Sequence, residues 1–218
     1  LKTEFSGHPL VDEMAEVAEQ FRGERDLDLI ALLPGSRERE ISALFPPMLD
    51  AAEILLKDYP ELKFATSGAT ESLTELLREL VREKGLESAV EVEKGSSRRL
   101  MCQAGQGIVA SGTATLEAAL LGLPYALTYK VAWITAVAAR RLMKVDYLGI
   151  VNVLSDREVV KELLQERASG QSIADELRAL RSDSARREQL QRDLIAVKET
   201  LGGGGAFQTT AKLIAEAV

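Results

Sequence analysis

The chain has 218 residues, with 27 Lys or Arg against 34 Asp or Glu, a formal charge of −7 and 46% hydrophobic residues. That apolar content fills one large core or two small ones, and it excludes a disordered or fibrous chain. The acidic excess is spread along the sequence, which excludes a general nucleic-acid binder with a concentrated basic face. Any anion must therefore be held locally.

One cysteine, Cys102, leaves no internal disulfide, and one histidine, His8, no histidine metal cluster. With a single cysteine, a reducing cytoplasm fits best. The longest strongly apolar stretch, 131–139, ends at Arg140 and Arg141. It falls far short of the ~20 residues of a spanning helix, so the chain reads as soluble or at most resting on a membrane surface. It opens on Leu1 without a signal-peptide pattern, as a fragment or processed chain does.

In chain order, residues 1–26 read as a lead-in: a turn at 5–9, then an amphipathic helix over 11–21. Residues 27–33 form a nearly continuous apolar run ending at Pro34-Gly35, the pattern of a strand buried on both faces. Ile41, Leu44, Phe45, Met48, Leu49, Ala52, Leu55 and Leu56 then share one helix face, and Tyr59-Pro60 ends that helix. The alternation continues with strands at 62–66, 89–93, 107–110 and 124–128 and helices at 72–84, 97–104 and 113–121. Such alternation predicts a Rossmann-like parallel sheet flanked by helices, with ligands at the carboxyl ends of the strands. The loops to inspect are 34–40, 67–71, 94–97, 111–115 and 129–130. Strands are expected to cease after Lys144, leaving a helical tail broken near Ser169-Gly170. The glycines at 202–205 read as a helix stop and hinge, since no Lys-Ser/Thr pair follows to make a phosphate loop, and a last helix runs from about 209 to 217. The expected division is a lead-in at 1–26, a Rossmann-like domain at 27–154 and a helical tail at 155–218.

Two turns stand out chemically. Gly35-Ser36-Arg37 opens the first long helix, where backbone N–H groups and the helix dipole favour an anion. Gly35 permits close approach, Ser36 can cap the helix or donate to an oxygen, and Arg37 can fork onto a phosphate. A capped turn with a solvated Arg37 explains the same residues. Ser111-Gly112-Thr113-Ala114-Thr115 repeats the design after a later strand, and the pair suggests a diphosphate lying across the sheet edge. Glu117, placed in that helix's first turn, is either a dipole-matched surface carboxylate or a ribose acceptor. Asn152 reads by default as a turn or cap residue, His8 as a turn residue and Cys102 as a small buried group. Trp133, Ile134, Val137, Leu142 and Met143 suggest a core face. Lys130, Arg140, Arg141 and Lys144 against Asp146 would also suit an anionic lipid interface.

Leu32-Leu33-Pro34-Gly35-Ser36-Arg37, Ala110 to Glu117, 147–154 with Asn152, and Glu162-Leu163-Leu164-Gln165, in this order, resemble lipid-A-disaccharide synthase, a bacterial GT-B glycosyltransferase. Gly7 to Asp12 and the region at Leu201-Gly202 add to a likeness covering essentially the whole chain. The resemblance implies the C-terminal, donor-binding domain of a GT-B hexosyltransferase. That enzyme class moves a diacylated glucosamine from UDP onto a diacylated glucosamine 1-phosphate, giving a β-1,6 disaccharide and UDP, with no metal or other cofactor. It implies that Arg37 neutralises donor phosphate, that Ser36 and Thr113 to Thr115 hydrogen-bond the diphosphate, that Glu117 holds the ribose, and that Asn152 and Gln165 lie near the donor. It further implies an acceptor-binding first domain with the catalytic base, a position on the inner membrane surface, and dimers with swapped C-terminal segments. The chain departs from the pattern at Val151, where proline is expected. Alternatives are another UDP-sugar GT-B enzyme, transferase or epimerase, and a non-catalytic nucleotide-sugar-binding or assembly module.

Overall fold

The computed structural model describes residues 5–95, 97–130 and 147–217. The expected core face around Trp133 and most of the basic cluster at 130–146 lie outside the described residues. Six strands form one parallel sheet: β1 (Asp26–Leu33), β2 (Lys63–Gly68), β3 (Val90–Lys94), β4 (Ala104–Ala110), β5 (Tyr125–Tyr129) and β6 (Glu162–Leu164). Their order is β3-β2-β1-β4-β5-β6. The chain therefore reverses its direction of travel across the sheet between β1 and β4, the switch point at which doubly wound folds open a crevice.

Alternation along β1 explains the three layers. Ile30 and Leu32 enter one core, packed by α2 (Glu38–Asp58), α3 (Glu71–Glu83) and α7 (Gly170–Ser182). Ala31 and Leu33 enter the other. That second core is packed by α1 (Pro9–Gln20), α4 (Ser97–Gln103), α5 (Thr113–Leu120), α6 (Ile150–Ser155) and α8 (Ser184–Thr200). A last helix, α9, spans Ala206–Ala217. Helix α2 runs through Pro46 and Pro47, which cost about 3 kcal/mol each as helix-interior residues. Ile41, Leu44, Phe45, Met48 and Leu49 are each at most 2% exposed. At about 1.5–3 kcal/mol per buried side chain they outweigh the prolines.

The expectation that strands cease after Lys144 is corrected by β6, which pairs in parallel with β5 through Leu127–Glu162, Thr128–Leu163 and Tyr129–Leu164. A short 3₁₀ turn, Gln165–Arg167, separates it from α7. The break at Ser169-Gly170 is real, since the Ser169 side chain accepts the Ser172 N–H as the N-cap of α7. Asp183 makes a second break by capping α8 through the Arg186 N–H.

The glycine run behaves as a stop. His8 donates its N–H to the Leu201 carbonyl, and Asp12 accepts the N–H groups of Gly205 and Ala206 at 2.7 and 3.0 Å. The lead-in helix thus caps the last helix.

Arg25, just before β1, ties three helix and strand ends together. Its guanidinium donates to the carbonyls of Met101 at 2.6 Å, Ala104 at 2.8 Å and Leu121 at 2.5 Å. Burial lowers its pKa without discharging it, and the positive charge faces helix C-termini, where the dipole is negative. Arg25→Met should cost about 2–3 kcal/mol, the scale of charge-assisted bonds whose acceptors become unpaired. The drop in thermal midpoint should be roughly 4–12 °C, read by circular dichroism.

Candidate functional site

Because β1 and β4 are paired neighbours, with Leu33 opposite Val109, the turns after them open side by side. Together they line a cleft of about 350 Å³. Gly35, Ser36, Arg37, Ser111, Gly112, Thr113, Ala114 and Glu117 are all on its wall, joined by Ser67 and Ala69 at the end of β2 and by Gly95 and Ser97 after β3. Four of the five loops singled out in the sequence therefore meet in one place. The fifth, 129–130, does not: Lys130 lies in a separate depression with Gln165, Pro47, Asp50, Ser169 and Gly170.

Two glycines make the turns possible. Gly35 has φ 114° and Gly112 φ 150°, in the region that side chains disfavour. A methyl group at position 35 would also collide with the carboxylate of Glu40. Gly112 is the N-cap of α5 and offers no side-chain cap. The first-turn N–H groups of Thr113 and Ala114, which the helix cannot satisfy, thus face the cleft at the positive end of the dipole.

The N-cap of α2 is Arg37 rather than Ser36, which stands one residue outside the helix. The Ser36 N–H donates to Glu40 Oε2 at 3.1 Å, and the Arg37 guanidinium to Glu40 Oε1 at 2.7 Å. The Arg37 side chain is 80% exposed.

Glu117 corrects an expectation. It falls in the second turn of α5, and its carboxylate is set by an ion pair rather than by the dipole. Arg98 on α4 donates through Nε at 3.1 Å and a terminal nitrogen at 2.7 Å, both to Glu117 Oε1, while Glu13 on α1 takes a further bond at 3.3 Å. The Glu117 bond, opposed by desolvation, raises the Arg98 pKa above its ordinary value.

Three candidates are placed elsewhere. Thr115 is 1% exposed and its hydroxyl donates to the Gly112 carbonyl at 2.7 Å, so it braces the turn from beneath. Gln165, at φ 54°, follows β6 outside the cleft. Asn152 is fully buried in α6. It donates to the carbonyl of Val160 at 2.8 Å and to Glu162 Oε1 at 2.9 Å, and accepts the N–H groups of Val159 and Val160 at 2.8 and 2.9 Å. The same Glu162 accepts the N–H groups of Leu148 and Gly149. Val151, where the resemblance leads one to expect proline, is the second residue of α6. A first-turn residue needs no N–H partner within its helix, and Val151 packs its side chain fully into the core.

Sequence reading passed over Glu40 and Arg98. The only local signal for Glu40 was an acid three residues after the helix-opening Arg37, the spacing of a capping box. Arg98 carried none, since Glu117 and Glu13 reach it from other helices.

Residues 1–215 match the family model for lipid-A-disaccharide synthetase. The lipid-A-disaccharide synthase of Geobacter sulfurreducens is 35% identical over 97% of this chain and 56% of its own length. That of Persephonella marina is 36% identical over 99% of this chain and 59% of its own. The chain thus spans a little over half the length of these relatives. Among solved structures, the UDP-GlcNAc 2-epimerase of Neisseria meningitidis, bound to UDP-GlcNAc, superposes with a TM-score of 0.64 at 15% identity, over 97% of this chain and 54% of the other. That likeness speaks to the Rossmann-like fold. With the family model matched along nearly the whole sequence, the chain belongs to the lipid-A-disaccharide synthetase family.

Proposed function

We propose that the cleft between the β1 and β4 turns binds the diphosphate of a UDP-linked acylated glucosamine. On this reading the chain is the donor-binding part of the hexosyltransferase that forms the lipid A disaccharide and releases UDP. The observation that carries the reading is the meeting of the 35–37 turn, the open N-terminus of α5 and Glu117 in one cleft at the topological switch point. When the bond from the sugar to the diphosphate breaks, negative charge grows on UDP. Fixed N–H dipoles at α5 and the Arg37 guanidinium stabilise that leaving group, without reorganising at the moment of reaction. Glu117, held by Arg98, is positioned to accept hydrogen bonds from the ribose hydroxyls. The acylated glucosamine 1-phosphate acceptor, the catalytic base and contact with the inner membrane surface belong to the same proposal but not to this cleft. Among the described residues no helix is long and apolar enough to cross a membrane.

Calorimetric titration of the 218-residue chain with UDP tests the reading. Binding in the range of about 0.1–5 mM is expected, about −3 to −5.5 kcal/mol, with no disaccharide formed when both acylated sugars are supplied. Absence of heat at millimolar UDP with folded protein would overturn the site. Turnover by the chain alone would overturn its restriction to donor binding. Competition by UDP-N-acetylglucosamine as strong as that of the acylated donor would favour another UDP-sugar enzyme.

A further inference from the structure

The phosphate turn already holds a negative group. Glu40 folds back from the first turn of α2 so that one carboxylate oxygen accepts the Ser36 N–H at 3.1 Å and the other the Arg37 guanidinium at 2.7 Å. It lies over Gly35, the residue whose missing side chain opens the turn, and it lines the same cleft. The guanidinium is the group that the functional reading gives to a donor phosphate, and the Ser36 N–H is its neighbour on the same turn. Two anions cannot take one amide hydrogen, and a phosphate that shared only the guanidinium would meet a carboxylate a few ångströms away, where like charges repel.

We propose that Glu40 occupies the phosphate turn of the free protein and tunes its affinity for the donor diphosphate. It is an internal carboxylate that competes with the donor phosphate for Ser36 and Arg37, so that only a ligand bringing phosphate to the turn displaces it. The inference rests on the assignment of the diphosphate to this cleft. It gives the turn two states, one closed on Glu40 and one opened by phosphate. The Arg37–Glu40 contact is an i,i+3 pair with Arg37 mostly in solvent. Its displacement thus costs what an exposed ion pair costs, and the penalty on affinity is small but measurable.

Calorimetry of Glu40→Gln with UDP and with uridine tests this. The substitution keeps the side-chain shape and an oxygen for the Ser36 N–H but removes the charge. UDP should bind about two- to fivefold tighter, uridine should be unchanged within error, and a thermal melt should show the variant folded. In an Arg37→Ala background the gain should shrink, because half of the competition has gone. Unchanged or weaker UDP binding by Glu40→Gln, with Arg37→Ala still weakening UDP, would overturn the inference and leave the phosphate site standing. If the unaltered chain shows no UDP binding, the site assignment fails first and the inference falls with it.

Discussion

Arg37→Ala is expected to weaken UDP by about tenfold and to leave uridine within about twofold. The asymmetry is the point of the experiment. A guanidinium that meets a phosphate makes charge-assisted hydrogen bonds worth roughly 1.5–3 kcal/mol, and about 1.4 kcal/mol is tenfold in affinity. The low end of that range applies because the Arg37 side chain is 80% exposed and solvent screens it. Two features keep the mutation from acting through the fold. Arg37 is an N-cap without a side-chain cap bond, and its bonded side-chain partner is the neighbouring Glu40. The thermal midpoint should therefore move by less than about 2 °C. Raising salt from 50 to 500 mM should weaken UDP in the parent and much less in the variant, since the screened contact is the one removed. Equal losses of UDP and uridine would place Arg37 near the nucleoside rather than the phosphates.

The cleft was readable from sequence because its parts are local. Each turn is a glycine and small polar residues between an apolar run and a periodic helix, and the alternation of strands and helices supplied the sheet that aligns them. The strand order, which makes β1 and β4 neighbours, has no local signal, since right-handed crossovers fix only which face each helix covers once the order is given. The parts that were missed depend on residues far apart in sequence. β6 has three residues, Glu162 to Leu164, within a charged stretch of helical periodicity, and only pairing with β5 makes it a strand. Arg98 and Glu117 are 19 residues apart on different helices, and Arg25 meets carbonyls 76, 79 and 96 residues away. No window of sequence contains both ends of such bonds. Asn152, singled out by likeness to a family motif, has its polar atoms hydrogen-bonded inside the protein, through partners 7 to 10 residues away that no turn or cap pattern announces.

Asn152→Ala should accordingly lower stability far more than it lowers affinity. The side chain is fully buried and links α6 to the segment entering β6 through bonds to Val159, Val160 and Glu162. Its loss leaves the Val160 N–H and carbonyl in the interior without that partner, while the half-buried Val159 N–H keeps a bond to the Arg157 carbonyl at 3.0 Å, and it takes one donor from Glu162, which is only 6% exposed. Unpaired buried groups cost about 1–3 kcal/mol each, and more for a charged one. Partial relaxation and water entry reduce the sum, so a loss of about 3–5 kcal/mol is expected. For a chain of this size that is a fall in melting midpoint of roughly 6–20 °C. Chemical denaturation should show the same loss as a lower midpoint with an unchanged slope, provided unfolding is two-state. Measured well below its midpoint, the variant should bind UDP within about threefold of the parent, because the cleft is built from the β1, β2, β3 and β4 turns and α5. A variant that melts like the parent but loses UDP tenfold would return Asn152 to the ligand. It would also mean that α6 opens to expose the side chain, a rearrangement that hydrogen exchange at Val159 and Val160 would detect as weak protection.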